Sequence, residues 1–94
     1  MYKGKRVAVV VPAYNEERFI ADVIKGIPEY VDRIYVVNDA STDDTARIAE
    51  ELAKNNPRVT VKTLEKNTGV GGAITAGHRL ALEENMDAVA IMAG

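Results

Sequence analysis

The sequence predicts an α/β fold with an open parallel sheet in a three-layer αβα arrangement. Apolar runs rich in β-branched residues alternate along the chain with stretches whose apolar residues recur at helical spacing. This alternation is typical of consecutive βαβ units. The first run, Val7–Val11, contains no polar residue, as expected of a central strand that is covered on both faces.

The composition narrows the possible functions. The net charge of -2 at pH 7 lacks the basic excess that nucleic-acid binding requires. The absence of cysteine excludes disulfides and thiolate metal sites and favours a reducing, cytoplasmic location. His78 is the only histidine, so no cluster of histidine ligands exists. No run approaches the ~18 apolar residues that a membrane-spanning helix needs.

The first strand is expected to end at Pro12, which has no N–H to donate to a neighbouring strand. Asn15 is expected to cap the next helix, with Glu16 and Glu17 in its first turn near the positive end of the helix dipole. Gly26 with Pro28 then ends this helix. One face of the helix carries its apolar residues, Phe19, Ile20, Val23, Ile24 and Ile27.

The next unit repeats this plan. Ile34–Val37 is the second strand, and either Ser41 or Thr42 caps the following helix, with Asp43 and Asp44 in its first turn. The helix ends at 55–57. Its buried stripe comprises Thr45, Ile48, Ala49, Leu52 and Ala53.

The third strand, Val59–Leu64, alternates apolar and polar residues, which indicates the edge of the sheet. A glycine-rich loop at 65–72 precedes a helix predicted for 73–84. Gly77 in the middle of that helix suggests close backbone packing, since glycine costs about 1 kcal/mol relative to alanine there. Ala88–Ala93 is a fourth strand as apolar as the first.

Strands joined by helices imply right-handed crossovers and a parallel sheet. With the edge-like third strand outside the second and the fourth strand beyond the first, the strand order is 3-2-1-4. The turns after the strands then converge on the rim where ligands bind in open α/β sheets. The apolar fourth strand should have further neighbours in the sheet. We therefore expect residues 1–94 to form one unit, the N-terminal part of a larger domain. Left uncovered, that strand should recruit another chain and produce a homo-oligomer.

Asp39, at the end of the second strand, is the most informative polar residue. Its carboxylate could accept the imide N–H of uracil or the paired N–H groups of guanine, although a solvated turn aspartate is the alternative. Tyr14 could stack on a base or pack under the turn. Asn15 could bind ribose or cap the helix, and Glu16 could accept from a ribose hydroxyl or only occupy the first turn. Together these residues describe a nucleoside pocket.

Other candidate features point to chemistry less clearly. Asp43 and Asp44 are more simply explained by the helix terminus. The loop of Gly69, Gly71 and Gly72 fits neither the dinucleotide fingerprint nor the phosphate loop, because it follows the third strand and lacks the Lys-Ser/Thr pair. Its backbone amides could lie near a diphosphate, or it could be a plain tight turn. His78 and Arg79 have no partners that would make them catalytic.

Three segments, 9–17, 36–45 and 67–77, resemble in order and spacing the opening of the family 2 glycosyltransferases. The most similar branch transfers mannose or glucose to polyprenyl or dolichol phosphate. The resemblance implies the N-terminal, Rossmann-like half of a GT-A fold and a UDP- or GDP-sugar donor. It also implies a lipid-phosphate or saccharide acceptor and Mg²⁺ or Mn²⁺ in the full-length parent. By this resemblance the donor-binding residues are Pro12, Ala13, Tyr14, Glu16, Asp39, Gly69 and Gly71.

The family's Asp-x-Asp metal motif and its catalytic base follow the fourth strand, beyond Gly94. We therefore expect residues 1–94 to contain no catalytic residue, to bind no metal alone and to be inactive without the rest of the protein. A sugar-nucleotide nucleotidyltransferase is an alternative, but it would need a glycine- and arginine-rich loop in place of 12–17. A signalling receiver module would need an aspartate after the third strand. A non-catalytic α/β interaction module remains open.

Overall fold

The computed structural model describes residues 1–92, which form a four-stranded sheet and three helices. Every strand pair is parallel and the order is β3-β2-β1-β4, so the predicted fold class and strand order are confirmed. Ala93, the last residue of the predicted fourth strand, lies outside the described residues. In chain order the elements are β1 (Val7–Ala13), α1 (Ile20–Lys25), β2 (Arg33–Asn38), α2 (Thr45–Asn55), β3 (Val59–Thr63), α3 (Gly69–Glu83) and β4 (Ala88–Ile91).

The sheet lies between two layers of helices, so the fold has three layers. An apolar core fills the space between the sheet and each helix layer. On one face, the odd-numbered residues of β1 pack with apolar residues of α1 and α2, including Ile20, Ile24 and Ala49. On the other face, the even-numbered residues of β1 pack with Ala73 and Ala81 of α3. Burial of β1 on both sides follows from its uninterrupted apolar sequence.

β1 does not end at Pro12, as the sequence predicted, but continues to Ala13. Ala13 directs its carbonyl toward β2, where it accepts from the Asp39 N–H, whereas the Val10 carbonyl faces β4 and accepts from the Met92 N–H. Successive residues alternate sides, so the nitrogen of Pro12 faces β4. Within residues 1–92, the β1–β4 pairing ends opposite Val10, and the missing N–H of Pro12 interrupts no hydrogen bond of that pairing.

Three predicted helix starts are wrong. α2 begins at Thr45 with Asp44 at its N-cap position, so neither Ser41 nor Thr42 caps it, and Asp43 and Asp44 lie before its first turn. Asn15 does not cap α1, which begins at Ile20, because Asn15 has a left-handed φ of 52° and its side chain is bound elsewhere. Phe19 lies before the helix and is 56% exposed, so it does not join the predicted apolar face. α3 begins at Gly69 rather than at 73. The predicted glycine-rich loop thus supplies the first turn of a helix.

Gly77 confirms the predicted close approach. It lies in the middle of α3 over the sheet, and a Cβ at this position would be 2.3 Å from Cγ1 of Val10. Val10 is fully buried in the central strand and has no space to withdraw. Glycine at position 77 therefore sets the distance between α3 and β1.

Replacing Gly77 with alanine should lower the free energy of unfolding by about 1–3 kcal/mol through overpacking against Val10. Gly71→Ala is the matched control, because a Cβ at position 71 of the same helix meets nothing within 4 Å. We expect that control to stay within about 1 kcal/mol of the wild type, in the stabilising direction. Urea denaturation followed by circular dichroism measures both. Equal effects of the two substitutions would contradict this account.

Candidate nucleotide site

The candidate site lies where β1 and β2 end side by side. Ala13 is paired with Asn38, and the Asp39 N–H donates to the Ala13 carbonyl at 2.8 Å. A cavity of about 230 Å³ opens at this rim. Its lining residues are Pro12, Ala13, Tyr14, Glu16, Asp39, Val70 and Ala73. The structure thus brings five of the seven predicted donor-binding residues together around one cavity.

Asp39 is the polar centre of the cavity and is only 3% exposed. Its Oδ1 accepts hydrogen bonds from the Thr68 N–H at 2.8 Å and from the Thr68 hydroxyl at 2.9 Å. Within residues 1–92, no donor lies on Oδ2, and no buried side-chain oxygen is left unpaired. Oδ2 therefore keeps some accessible surface, and because Asp39 lines the cavity, this oxygen can accept a hydrogen bond from a ligand there.

Apolar groups surround this carboxylate. Pro12 and Ala13 come from β1, and Tyr14, which also lines the cavity, is 46% exposed. Val70 and Ala73, three residues apart on α3, line the cavity from the other side. A small apolar cavity with one precisely placed acceptor suits a planar heterocycle that has an N–H on its edge. The volume is below the ~300–1,000 Å³ of typical drug-sized pockets, so it matches a base better than a whole sugar nucleotide.

The loop after β1 is joined to the loop after β2 by hydrogen bonds. The Asn15 N–H donates to the Ser41 hydroxyl at 3.0 Å, and the Asn15 side-chain oxygen accepts from the Thr42 N–H at 2.9 Å. The Glu16 N–H donates to the Thr45 hydroxyl at 2.8 Å. We call this set of contacts the loop clasp. Because the Asn15 side chain is bound to Thr42 in the loop clasp, it does not cap α1 as the sequence predicted.

Asp43 and Glu17 complete the loop clasp. The Glu17 N–H donates to Asp43 Oδ2 at 3.3 Å, and the Asp44 N–H donates to Glu17 Oε2 at 3.2 Å. Asp43 Oδ1 also accepts from the Thr45 N–H at the start of α2, the helix-terminus role predicted for it. Burial raises the pKa of the Asp43 carboxyl, but these hydrogen bonds outweigh burial and hold that pKa below its ordinary value of 3.8.

The glycines predicted to lie beside the donor are placed differently. Gly69, with a φ of 77°, is the first residue of α3 and does not line the cavity around Asp39. Gly71 lines a larger groove of about 570 Å³ between β3 and α3, together with Lys62 and Arg79. This groove includes no residue of β1 or β2. The role of Gly69 and Gly71 beside a donor stays a prediction.

The described residues do not fit a divalent metal site. Within residues 1–92, no three histidine, cysteine, aspartate or glutamate side chains form a group that could hold an ion. Mg²⁺ and Mn²⁺ prefer several oxygen ligands, and Asp39 alone does not provide them. Over the same range, no helix has the length and apolar content needed to cross a bilayer.

Sequence reasoning missed three contributors to the site: Thr68, Val70 and Ala73. All three follow β3 in the chain. Val70 and Ala73 line the cavity and Thr68 binds Asp39, because α3 crosses back over the sheet toward β1 and β2. A partial signal exists, since Thr68 immediately precedes a helix, where threonine often acts as a cap. Here its hydroxyl makes no cap hydrogen bond and binds Asp39 instead.

Comparison with protein families gives one match that covers almost the whole chain. The model of "Glycosyl transferase family 2" matches residues 8–92. A UDP-N-acetylglucosamine–dolichyl-phosphate N-acetylglucosaminyltransferase of Methanococcus voltae is 34% identical over 88% of this chain and 38% of its own length. The human dolichyl-phosphate β-glucosyltransferase is 35% identical over 78% of this chain and 26% of its own length. The chain therefore spans well under half the length of these relatives.

Solved structures are similar over the same region. A mannosyltransferase from Pyrobaculum calidifontis, in complex with GDP-Man and Mn²⁺, superimposes with a TM-score of 0.75 at 30% identity. It covers 82% of this chain, which corresponds to 24% of the mannosyltransferase. S. aureus TarS in complex with UDP superimposes with a TM-score of 0.70 at 28% identity, over 94% of this chain and 27% of TarS.

Asp43→Asn should lower the melting temperature at pH 7, because an amide has one acceptor oxygen where the loop clasp uses two. The folded-state pKa of Asp43 is depressed, so its contribution is present above pH 3.8 and is lost as the pH falls below it. The difference in melting temperature should therefore shrink at low pH. The control is Asp44→Asn, because the exposed Asp44 side chain pairs with Arg47 on the surface and should contribute less to stability. A pH-independent difference would contradict this role.

Proposed function

Since the chain belongs to glycosyl transferase family 2, we propose that its site at the ends of β1 and β2 binds the nucleoside of a UDP- or GDP-sugar donor. Its fold is that of the N-terminal part of a GT-A glycosyltransferase. The observation that carries the proposal is the buried Asp39 carboxylate, which presents one unoccupied oxygen to an otherwise largely apolar cavity. Such an oxygen is suited to accept a base N–H.

The predicted residues around the cavity then have defined tasks. Asp39 reads the base, while Pro12, Ala13 and Tyr14 contact its faces and edges. Glu16 is half-buried at the same cavity, where its carboxylate can accept from a ribose hydroxyl. Gly69 and Gly71 lie in the first turn of α3, and we assign this turn to the diphosphate side of the donor. The Gly69 N–H already donates to the Asn67 side-chain oxygen at 3.0 Å.

We propose that residues 1–94 form the nucleotide-binding part of a longer glycosyltransferase. Relatives of this chain are named as glycosyltransferases that act on dolichyl phosphate, and the chain spans 26–38% of two of them. Transfer to a lipid phosphate or a saccharide is therefore proposed for the longer protein, at the cytoplasmic face of a membrane. There, Mg²⁺ or Mn²⁺ would neutralise charge on the diphosphate leaving group. Its ligands, like the base that accepts the acceptor's proton, would come from outside residues 1–92.

Titration of the chain with UDP and GDP by calorimetry, with and without Mn²⁺, tests nucleotide binding. We expect saturable binding of at least one nucleotide and at least about tenfold weaker binding by Asp39→Ala, which loses a charge-assisted hydrogen bond. Asp44→Ala is the matched control, because Asp44 lies on the same loop but does not line the cavity. It should bind as the wild type does.

Two other outcomes would count against the proposal. Binding that Asp39→Ala leaves unchanged would place the nucleotide elsewhere, for instance in the groove of Lys62 and Arg79. No binding of either nucleotide would favour a non-catalytic interaction module instead.

Self-association through β4 stays a prediction. Among residues 1–92, β4 pairs only with β1, and Ile91 beside its open edge is 41% exposed. An uncovered apolar strand edge is a template for pairing with another chain. We expect sedimentation of the 94-residue chain to show a dimer or higher oligomer at high concentration. A monomer over the whole concentration range would contradict this.

A further inference from the structure

We propose that Thr68 sets the base preference of this site and that the site prefers a uridine nucleotide to a guanosine nucleotide. The inference deepens the proposed nucleotide-binding function and depends on it. It rests on the Asp39 carboxylate, in which Oδ1 is bound by the protein and Oδ2 is left for a ligand.

Thr68 occupies one side of the Asp39 carboxylate completely. Its backbone N–H and its hydroxyl donate to the same oxygen, Oδ1, at 2.8 and 2.9 Å. A carboxylate has about four lone-pair sites, two on each oxygen. Thr68 therefore uses the capacity of Oδ1, and only Oδ2 remains for a ligand.

Both partners are held in place by their neighbours. The backbone of Asp39 is fixed at the end of β2 by its N–H bond to the Ala13 carbonyl. The Thr68 side chain packs against Gly72, where a Cβ would be 2.2 Å from the hydroxyl oxygen. The glycine at position 72 thus makes room for the Thr68 hydroxyl to reach Asp39.

The bases differ in how many donors they present to such a carboxylate. Uracil offers a single N–H, at N3, which Oδ2 alone can accept. Guanine offers two adjacent donors, at N1 and N2, and needs both carboxylate oxygens to pair them in parallel. With Oδ1 occupied, one guanine donor would be buried without a good partner, which is costly. Cytosine carries an acceptor at N3 and is repelled.

The same arrangement predicts what an amide would do at position 39. In Asp39→Asn, the side-chain oxygen is held on the two Thr68 donors, so the NH₂ group takes the position of Oδ2. This group donates rather than accepts, and it matches the N3 acceptor of cytosine instead of the N3–H of uracil. The substitution should therefore exchange a uridine preference for a cytidine preference.

The experiment measures dissociation constants of UDP, GDP and CDP for the chain by calorimetry. We expect UDP to bind about tenfold or more tightly than GDP, since an unpaired buried donor is penalised. Thr68→Val removes the hydroxyl but keeps the backbone N–H, so it should narrow the difference between the UDP and GDP dissociation constants. Thr68→Ser keeps a hydroxyl and should show the wild-type difference. Thr75→Val is the control, because the Thr75 hydroxyl binds the Gly71 carbonyl and not Asp39. Asp39→Asn should bind CDP better than UDP.

The outcomes separate this inference from the proposed function. If GDP binds as tightly as UDP, and Asp39→Ala abolishes both, the nucleotide site stands and the base preference is wrong. If UDP is preferred but Thr68→Val leaves the difference between the two dissociation constants unchanged, Thr68 does not set the preference. If no nucleotide binds to a chain that melts cooperatively, the proposed function itself fails. Melting curves of each variant exclude loss of folding as the cause of a changed difference.

Discussion

The hydrogen bonding of β1 between β2 and β4 is the constraint on which the rest of this structure depends. β1 contributes side chains to both cores, to α1 and α2 on one face and to α3 on the other. Its register with β2 brings Ala13 beside Asn38, so both strands end at one level. The cavity forms because the loops after β1 and β2 both leave the sheet at this level, and α3 passes close enough to line the space between them. That closeness depends in turn on Gly77 above Val10.

The sequence predicts the architecture well because the determining patterns are local. An uninterrupted apolar run marks β1, alternation marks β3 as an edge, and helical spacing marks the stripe of α2. The predictions that failed concern positions where a distant partner overrides a local preference. Pro12 stays in β1 because its nitrogen faces a side where pairing has ended. Asn15 has a capping side chain, yet Thr42 lies within its reach and α1 starts later.

The same distinction between local patterns and distant partners applies to the residues of the candidate site. Residues on the turns after β1 and β2 were predictable, because parallel strands release their loops at one rim. Thr68, Val70 and Ala73 were not, because their place depends on how α3 crosses the sheet, which no local pattern specifies. The sequence left the glycines near Thr68 as either backbone amides beside a diphosphate or a plain tight turn, whereas at least one of them, Gly72, serves packing. Because Gly72 has no Cβ, it leaves room for the Thr68 hydroxyl.

The loop clasp is asymmetric, and the asymmetry bears on how the chain can vary over evolution. At position 16 the first loop contributes only a backbone N–H, which every residue except proline possesses, whereas the second loop contributes the side-chain oxygens of Ser41, Asp43 and Thr45. The side chains of Asn15 and Glu17 add two acceptors from the first loop. Drift at position 16 therefore leaves the clasp intact, while drift at positions 43 or 45 breaks it. A lineage could thus retune the ribose end of the cavity through Glu16 without disturbing the junction that holds the two loops together.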